Sequence, residues 1–164
     1  MPSVDLNSIL QDPQLQALLR VLVAGVIGAI VGLEREIAGK PAGVRTYPLI
    51  AMGAAIFTAG SFDAFGTADS ASRVAAQIVT GIGFLGAGTI LHMRSRIVGL
   101  TTAAGIWMVA AVGMVIGAGL YVLGIGSAVL LWVILRFLHP EWLEKHGLIS
   151  HEDAAVEDNT DTND

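Results

Sequence analysis

Residues 74–93 read VAAQIVTGIGFLGAGTILHM, and the meaning of their glycines decides what kind of fold this is. Gly81, Gly83 and Gly86 spell GxGxxG, which in soluble proteins marks a dinucleotide-binding turn between a strand and a helix. The surroundings contradict that use. No strand-like segment precedes the motif, and no free helix N-terminus is available for a pyrophosphate. The glycines at 81, 83, 86 and 88 instead bare the backbone of a helix in an apolar medium, where neighbouring helices can approach closely and gain dispersion contact.

Working outward, the composition agrees with a lipid solvent. The 164-residue chain is 54% hydrophobic with a mean hydropathy of +0.68, more than a soluble domain of this size carries. Lysine and arginine together number 9, too few for a nucleic-acid footprint, so no nucleic-acid partner is expected. With no cysteine, thiolate zinc sites, disulfides and thiol nucleophiles are excluded. The formal charge of -5 comes from the tail, where Glu152, Asp153, Glu157, Asp158, Asp161 and Asp164 follow Ser150.

Five apolar runs are separated by polar breaks. Asp12 and Pro13 give a cap-then-proline start to a first run reaching Leu33, interrupted by Arg20, whose long side chain is expected to snorkel to headgroups. A charged stretch from Glu34 to Arg45 connects it to a second run from Thr46 to about Phe62. A break holding Asp63, Asp69 and Arg73 precedes the third run, Val74 to Met93; Gly99, Leu100, Thr101 and Thr102 lead into a fourth reaching about Gly117, and the fifth ends near Leu138. The predicted fold is all-α: a polytopic transmembrane bundle of about five spans. Residues 1–14 form an extracytoplasmic segment without the features of a cleavable leader, 15–138 the membrane domain, and 139–164 an acidic tail expected to be disordered. Basic residues (Arg35, Lys40, Arg45; Arg94, Arg96; Arg136, Lys145) crowd alternate connections, so the N-terminus is expected outside and the C-terminus in the cytoplasm. Trp132 and Trp142 bracket the inner end of the last span as interface anchors.

Candidate functional residues gather at the inner corner: Glu34, Arg35, Glu36, Lys40, Arg45 and Thr46, with Thr101 and Thr102 in the third connection. Glu34 and Glu36 invite a magnesium site, but two helical positions separate them by about 200°. A solvated ion-pair corner with Glu36 facing Lys40 is the expectation. Gly43-Val44-Arg45-Thr46 and Gly99-Leu100-Thr101-Thr102 share a weak similarity that would fit an internal repeat. Their threonines are expected to cap helices, the alternative being an anion site of free amides with Arg45. The pairs Gly28/Gly32 and Gly113/Gly117 repeat the small-xxx-small spacing of tight helix packing, within one subunit or across a homo-oligomer. Gln77 and Thr80 share one helix face, as packing glue or as part of a polar path. No metal-ligand spacing, catalytic triad order or cofactor loop survives inspection, so neither enzyme activity nor a cofactor is expected.

The segments GLEREIAGKPAGVRTYPLIAMGAAIF, QIVTGIGFLGAGTIL and VGLTTAAGIWMVAAVGMVIGAG, in this order, resemble the MgtC/SapB family of bacterial inner-membrane proteins. The likeness extends from about Leu18 to Leu138. It implies a multi-pass protein tied to growth in low magnesium and, in pathogens, to survival inside phagocytes. It also implies action by contact with other membrane proteins, including the membrane part of ATP synthase. The chain resembles short members, without the soluble domain that longer ones carry after the membrane part. The functional expectation is a non-enzymatic regulator of ion homeostasis in the inner membrane, the alternative a small ion or solute transporter or channel.

Overall fold

The computed structural model describes the backbone of residues 11–65, 68–93 and 96–138, and the side chains of 11–62, 71–90 and 97–138. Among the described residues five helices follow one another: α1 Pro13–Ile37, α2 Thr46–Phe65, α3 Ala68–Ala87, α4 Leu100–Gly117 and α5 Tyr121–Phe137. The expectations for residues 1–10, for the side chain of Asp63, and for Arg94, Trp142 and the acidic tail fall outside the described residues.

α1 starts where the sequence says it should. The Asp12 carboxylate accepts from the backbone N–H groups of Gln14 at 2.8 Å and Leu15 at 3.2 Å, satisfying orphan donors, and Pro13 occupies the first helical position. Its buried stripe runs Val21, Gly25, Gly28, Gly32 and Arg35, alternate steps of four and three that keep one face inward, with Ala24, Val31 and Glu34 buried beside it. The opposite face, Leu22, Val26, Ile30, Leu33 and Ile37, is also apolar yet exposed. A helix apolar on both faces needs an apolar environment beyond its own fold. By length and composition, α1 and α4 can each cross a membrane. The apolar parts of the others are shorter, and α5 at 17 residues sits at the lower limit of about 17 for a span.

α2 is the centre of the bundle, packed between α1 and α4. Glycine makes both contacts close. A Cβ on Gly28 would lie 2.7 Å from the Cα of Pro48, and one on Gly117 would lie 2.6 Å from the carbonyl oxygen of Ala55. One on Gly113 would run into the carbonyl oxygen of Ala51. Tyr47, Ala51, Ala55, Val109 and Ile116 make the fully buried centre. The two small-xxx-small pairs are thus consumed inside one chain.

The third connection departs from the expected loop. α3 ends at Ala87, short of Met93, and Leu91–Met93 pairs antiparallel with Arg96–Val98. The small hairpin is an exception to the all-α expectation: its first strand replaces the end of the third run and its second lies in the connection that follows. Around Gly88 the chain leaves the helix through tight turns, with the Thr89 hydroxyl donating to the Gly86 carbonyl at 2.8 Å. The second connection is shorter than the sequence suggested, since α2 continues to Phe65 and α3 resumes at Ala68.

Candidate functional site

The charged corner at the end of α1 is two structures, one sealed and one open. Glu34 and Arg35 are buried, Arg35 only 1% exposed, which overturns the expected solvated corner. Arg35 Nε donates to Glu34 Oε2 at 2.6 Å and Nη2 to Oε1 at 2.8 Å, a bidentate pair that neutralises both charges. Nη2 also donates to the carbonyl of Leu135 at 3.1 Å, in the last turn of α5. That carbonyl is one of the four that a helix C-terminus leaves without an internal partner, and a cation there opposes the helix dipole.

Arg20 plays the same part at the other end of α1. Rather than snorkelling, it donates from Nη1 to the carbonyl of Gly117 at 3.1 Å, the final residue of α4. α1 therefore runs antiparallel to α4 and parallel to α5, each relation secured by an arginine on a C-terminal carbonyl. Among the described residues, two buried side-chain polar atoms have no hydrogen-bond partner: Arg20 Nε and Tyr47 Oη. Tyr47 lies against Gly105, where a Cβ would collide with its hydroxyl.

Glu36 points away from Glu34, as the helical geometry requires, but it does not face Lys40. Its Oε2 accepts from the Val44 backbone N–H at 3.1 Å and lies against Gly43, folding the connection 38–45 back on α1. Gly39, at φ +66°, makes the left-handed turn that this reversal needs. Among the described residues Glu34–Arg35 is the ion pair that forms. Arg45 is exposed beside this turn.

Threonine capping is not what starts α2 and α4. The N–H groups of Thr46 and Tyr47 both donate to the Gly43 carbonyl and Pro48 has none, so the first turn of α2 has few amides to offer an anion. α4 is capped by Gly99 in the left-handed conformation at φ +96°, without a side-chain bond. Thr101 and Thr102 fall inside its first turn, exposed and buried respectively. Gly43 precedes its helix by three residues and Gly99 by one, so the similar tetrapeptides are not equivalent in structure.

The glycines of α3 separate from the others. Gly86 makes ordinary contact with Ala103 and Gly88 with its own turn, whereas a Cβ on Gly81 or Gly83 would meet nothing within 4 Å. GxGxxG is helix interior, without the strand-to-helix turn of a nucleotide site. Ala76, Thr80, Gly83 and Ala87 are all exposed and, at steps of four, three and four, form one small-residue stripe. Phe84 beside it is 82% exposed. The Thr80 hydroxyl donates to the Ala76 carbonyl of its own helix at 3.0 Å. Gln77 is exposed too, in a groove of about 650 Å³ between α2 and α3. Sequence reasoning named these residues but had no signal for the groove, which needs two helices to exist. No group of three histidine or carboxylate residues able to hold a metal ion occurs among the described residues.

The model of a family described as the MgtC family matches residues 21–143. YhiD of Escherichia coli strain K12, provisionally named as a magnesium transporter, is 47% identical over 131 residues, covering 74% of this chain and 60% of its own. Protein SrpB of Synechococcus elongatus is 44% identical over 119 residues, 65% of each chain. Protein MgtC of Salmonella typhimurium is 45% identical over 102 residues, 62% of this chain and 43% of its own. The chain thus spans about three fifths of YhiD's length. No solved structure matches.

Proposed function

From the chain's membership of the MgtC family we propose that it is a non-enzymatic, multi-pass protein of a bacterial inner membrane. In this reading it regulates ion homeostasis under magnesium limitation by docking against other membrane proteins, of which the membrane part of ATP synthase is one candidate. The N-terminus lies outside and the C-terminus in the cytoplasm. Support for five crossings comes from α1, apolar on both faces, and from helix directions that alternate as successive crossings would.

The observation that carries the docking role is the exposed stripe Ala76, Thr80, Gly83 and Ala87. In lipid, helix association is driven by close van der Waals packing and small residues permit it. The other small-residue pairs are used within the chain, while this stripe is exposed and a Cβ on its Gly83 would meet nothing within 4 Å. The test is a photo-cross-linking amino acid at Phe84 in native membranes, with Val122, 90% exposed on α5, as control. A discrete protein adduct at Phe84, absent at Val122 and lost with Gly83→Leu, is expected. The same abundant neighbours at both positions would sink the proposal.

Transport of magnesium is the second reading, favoured by the provisional name of YhiD. A hard cation needs oxygen ligands at depth, and the Glu34 carboxylate is already taken by Arg35. Vesicles containing the purified protein and a magnesium-sensitive dye decide it: protein-dependent uptake would make transport the function.

A further inference from the structure

The groove between α2 and α3 has a polarity that changes along its length. Arg73 lies at its end nearest the start of α3, Gln77 follows one turn on, and the remainder is lined by Gly53, Gly81, Ile82 and Leu85 among other apolar residues. Charge, then amide, then hydrocarbon is the order of groups in a phospholipid read from phosphate through glycerol ester to acyl chain. The geometry points to a binding site for one anionic phospholipid: its phosphate on the Arg73 guanidinium, an ester carbonyl on the Gln77 carboxamide, and a chain laid against Gly81.

The dimensions agree. From Arg73 to Leu85 is about 18 Å along a helix at ~1.5 Å per residue, comparable with the roughly 15 Å of half a hydrocarbon core. A volume of about 650 Å³ falls among small-molecule sites of roughly 300–1,000 Å³.

The Gln77 carboxamide has two donors and an acceptor and makes no hydrogen bond with any described residue, which is unfavourable beside hydrocarbon. Arg73 already interacts within the chain; a guanidinium carries five N–H donors in a fork that can hold a phosphate beside an existing partner. Gly53 and Gly81 have nothing within 4 Å of a would-be Cβ, so their absent side chains leave room in the groove and are not required by packing inside the protein.

This site goes beyond the docking role and takes from it only the bilayer crossing. It lies on the flank of α3 adjoining α2, beside the stripe that carries the docking proposal, so the two can be tested apart. The experiment is native mass spectrometry of the full chain released from vesicles of equal phosphatidylglycerol and phosphatidylcholine. The wild type is expected to retain one phosphatidylglycerol, with a preference of about tenfold over phosphatidylcholine from the charge-assisted contact. Arg73→Gln should remove the preference. Gly81→Leu, which fills open space, should remove the lipid while keeping the thermal unfolding of the wild type, and Gly83→Leu should leave lipid binding intact. Equal retention of both lipids by the wild type, retention of phosphatidylglycerol by a folded Gly81→Leu, or a co-purified protein displaced by that variant would each overturn the site. A chain recovered without detergent after carbonate washing would instead refute the membrane reading itself.

Discussion

Gly113 and Gly117 in α4 and Gly81 and Gly83 in α3 would be read as one kind of residue in the sequence, and the fold uses them in opposite ways. Those of α4 are pressed onto the backbone of α2 at Ala51 and Ala55, while those of α3 face open surface. The contrast extends to the elements around them. α1, α2, α4 and α5 share a sealed interior whose charges and helix ends are answered by Glu34, Arg35 and Arg20. α3 contributes Ala71, Ile82 and Gly86 to the interior and leaves most of its remaining described surface exposed. The difference teaches that small-residue spacing marks the capacity for close approach, and that whatever stands opposite decides whether the chain itself uses it.

The largest effect should come from the sealed side. Glu34→Ala leaves the Arg35 guanidinium buried without its counter-charge, and a loss of ~3–5 kcal/mol is expected, read as a fall in the unfolding midpoint in mild detergent. The double variant Glu34→Leu/Arg35→Met should recover much of that loss. If the single variant is as stable as the wild type, the corner is open to water and the contrast with α3 fails.

Next in size is Gly113→Val, which drives a side chain into the Ala51 carbonyl; about 1–3 kcal/mol should be lost. Its counterpart Gly83→Leu on α3 should change stability by less than ~0.5 kcal/mol while abolishing the Phe84 cross-link. Equal destabilisation by the two would erase the distinction between the helices. Glu36→Ala should preserve membrane insertion and remove the acceptor of the Val44 N–H, at about 1–2 kcal/mol for a bond to a charged group. Faster hydrogen exchange confined to residues 38–45 would report it. The smallest effect is expected from Tyr47→Phe: the hydroxyl it deletes is buried and unpartnered, so stability should be unchanged or raised by up to ~1 kcal/mol.

Much of this organisation is legible in the order of residues. Asp12 and Pro13 start α1 because a cap is made by residues two and three places away. Gly119 stops α4 at φ +83° for an equally local reason. The burial of Glu34 was not legible, since an acidic residue between Leu33 and Arg35 looks the same whether Arg35 reaches water or the end of α5. Arg20 posed the same problem, its acceptor lying 97 residues away. The threonines misled because a cap depends on the backbone angles of the preceding residue, and Gly99 adopted them instead.

The sequence alone determined five apolar helical runs, the residues that begin and end several of them, and the succession of motifs that identifies the family. These are set by neighbours within a turn or by total apolar content, both fixed by the order of residues. Only the tertiary structure decided which glycines meet another backbone, that Arg20 and Arg35 cover the ends of α4 and α5, and that α2 and α3 enclose a groove. Those outcomes depend on what lies across a contact, and burial, pairing and open space are properties of two surfaces brought together.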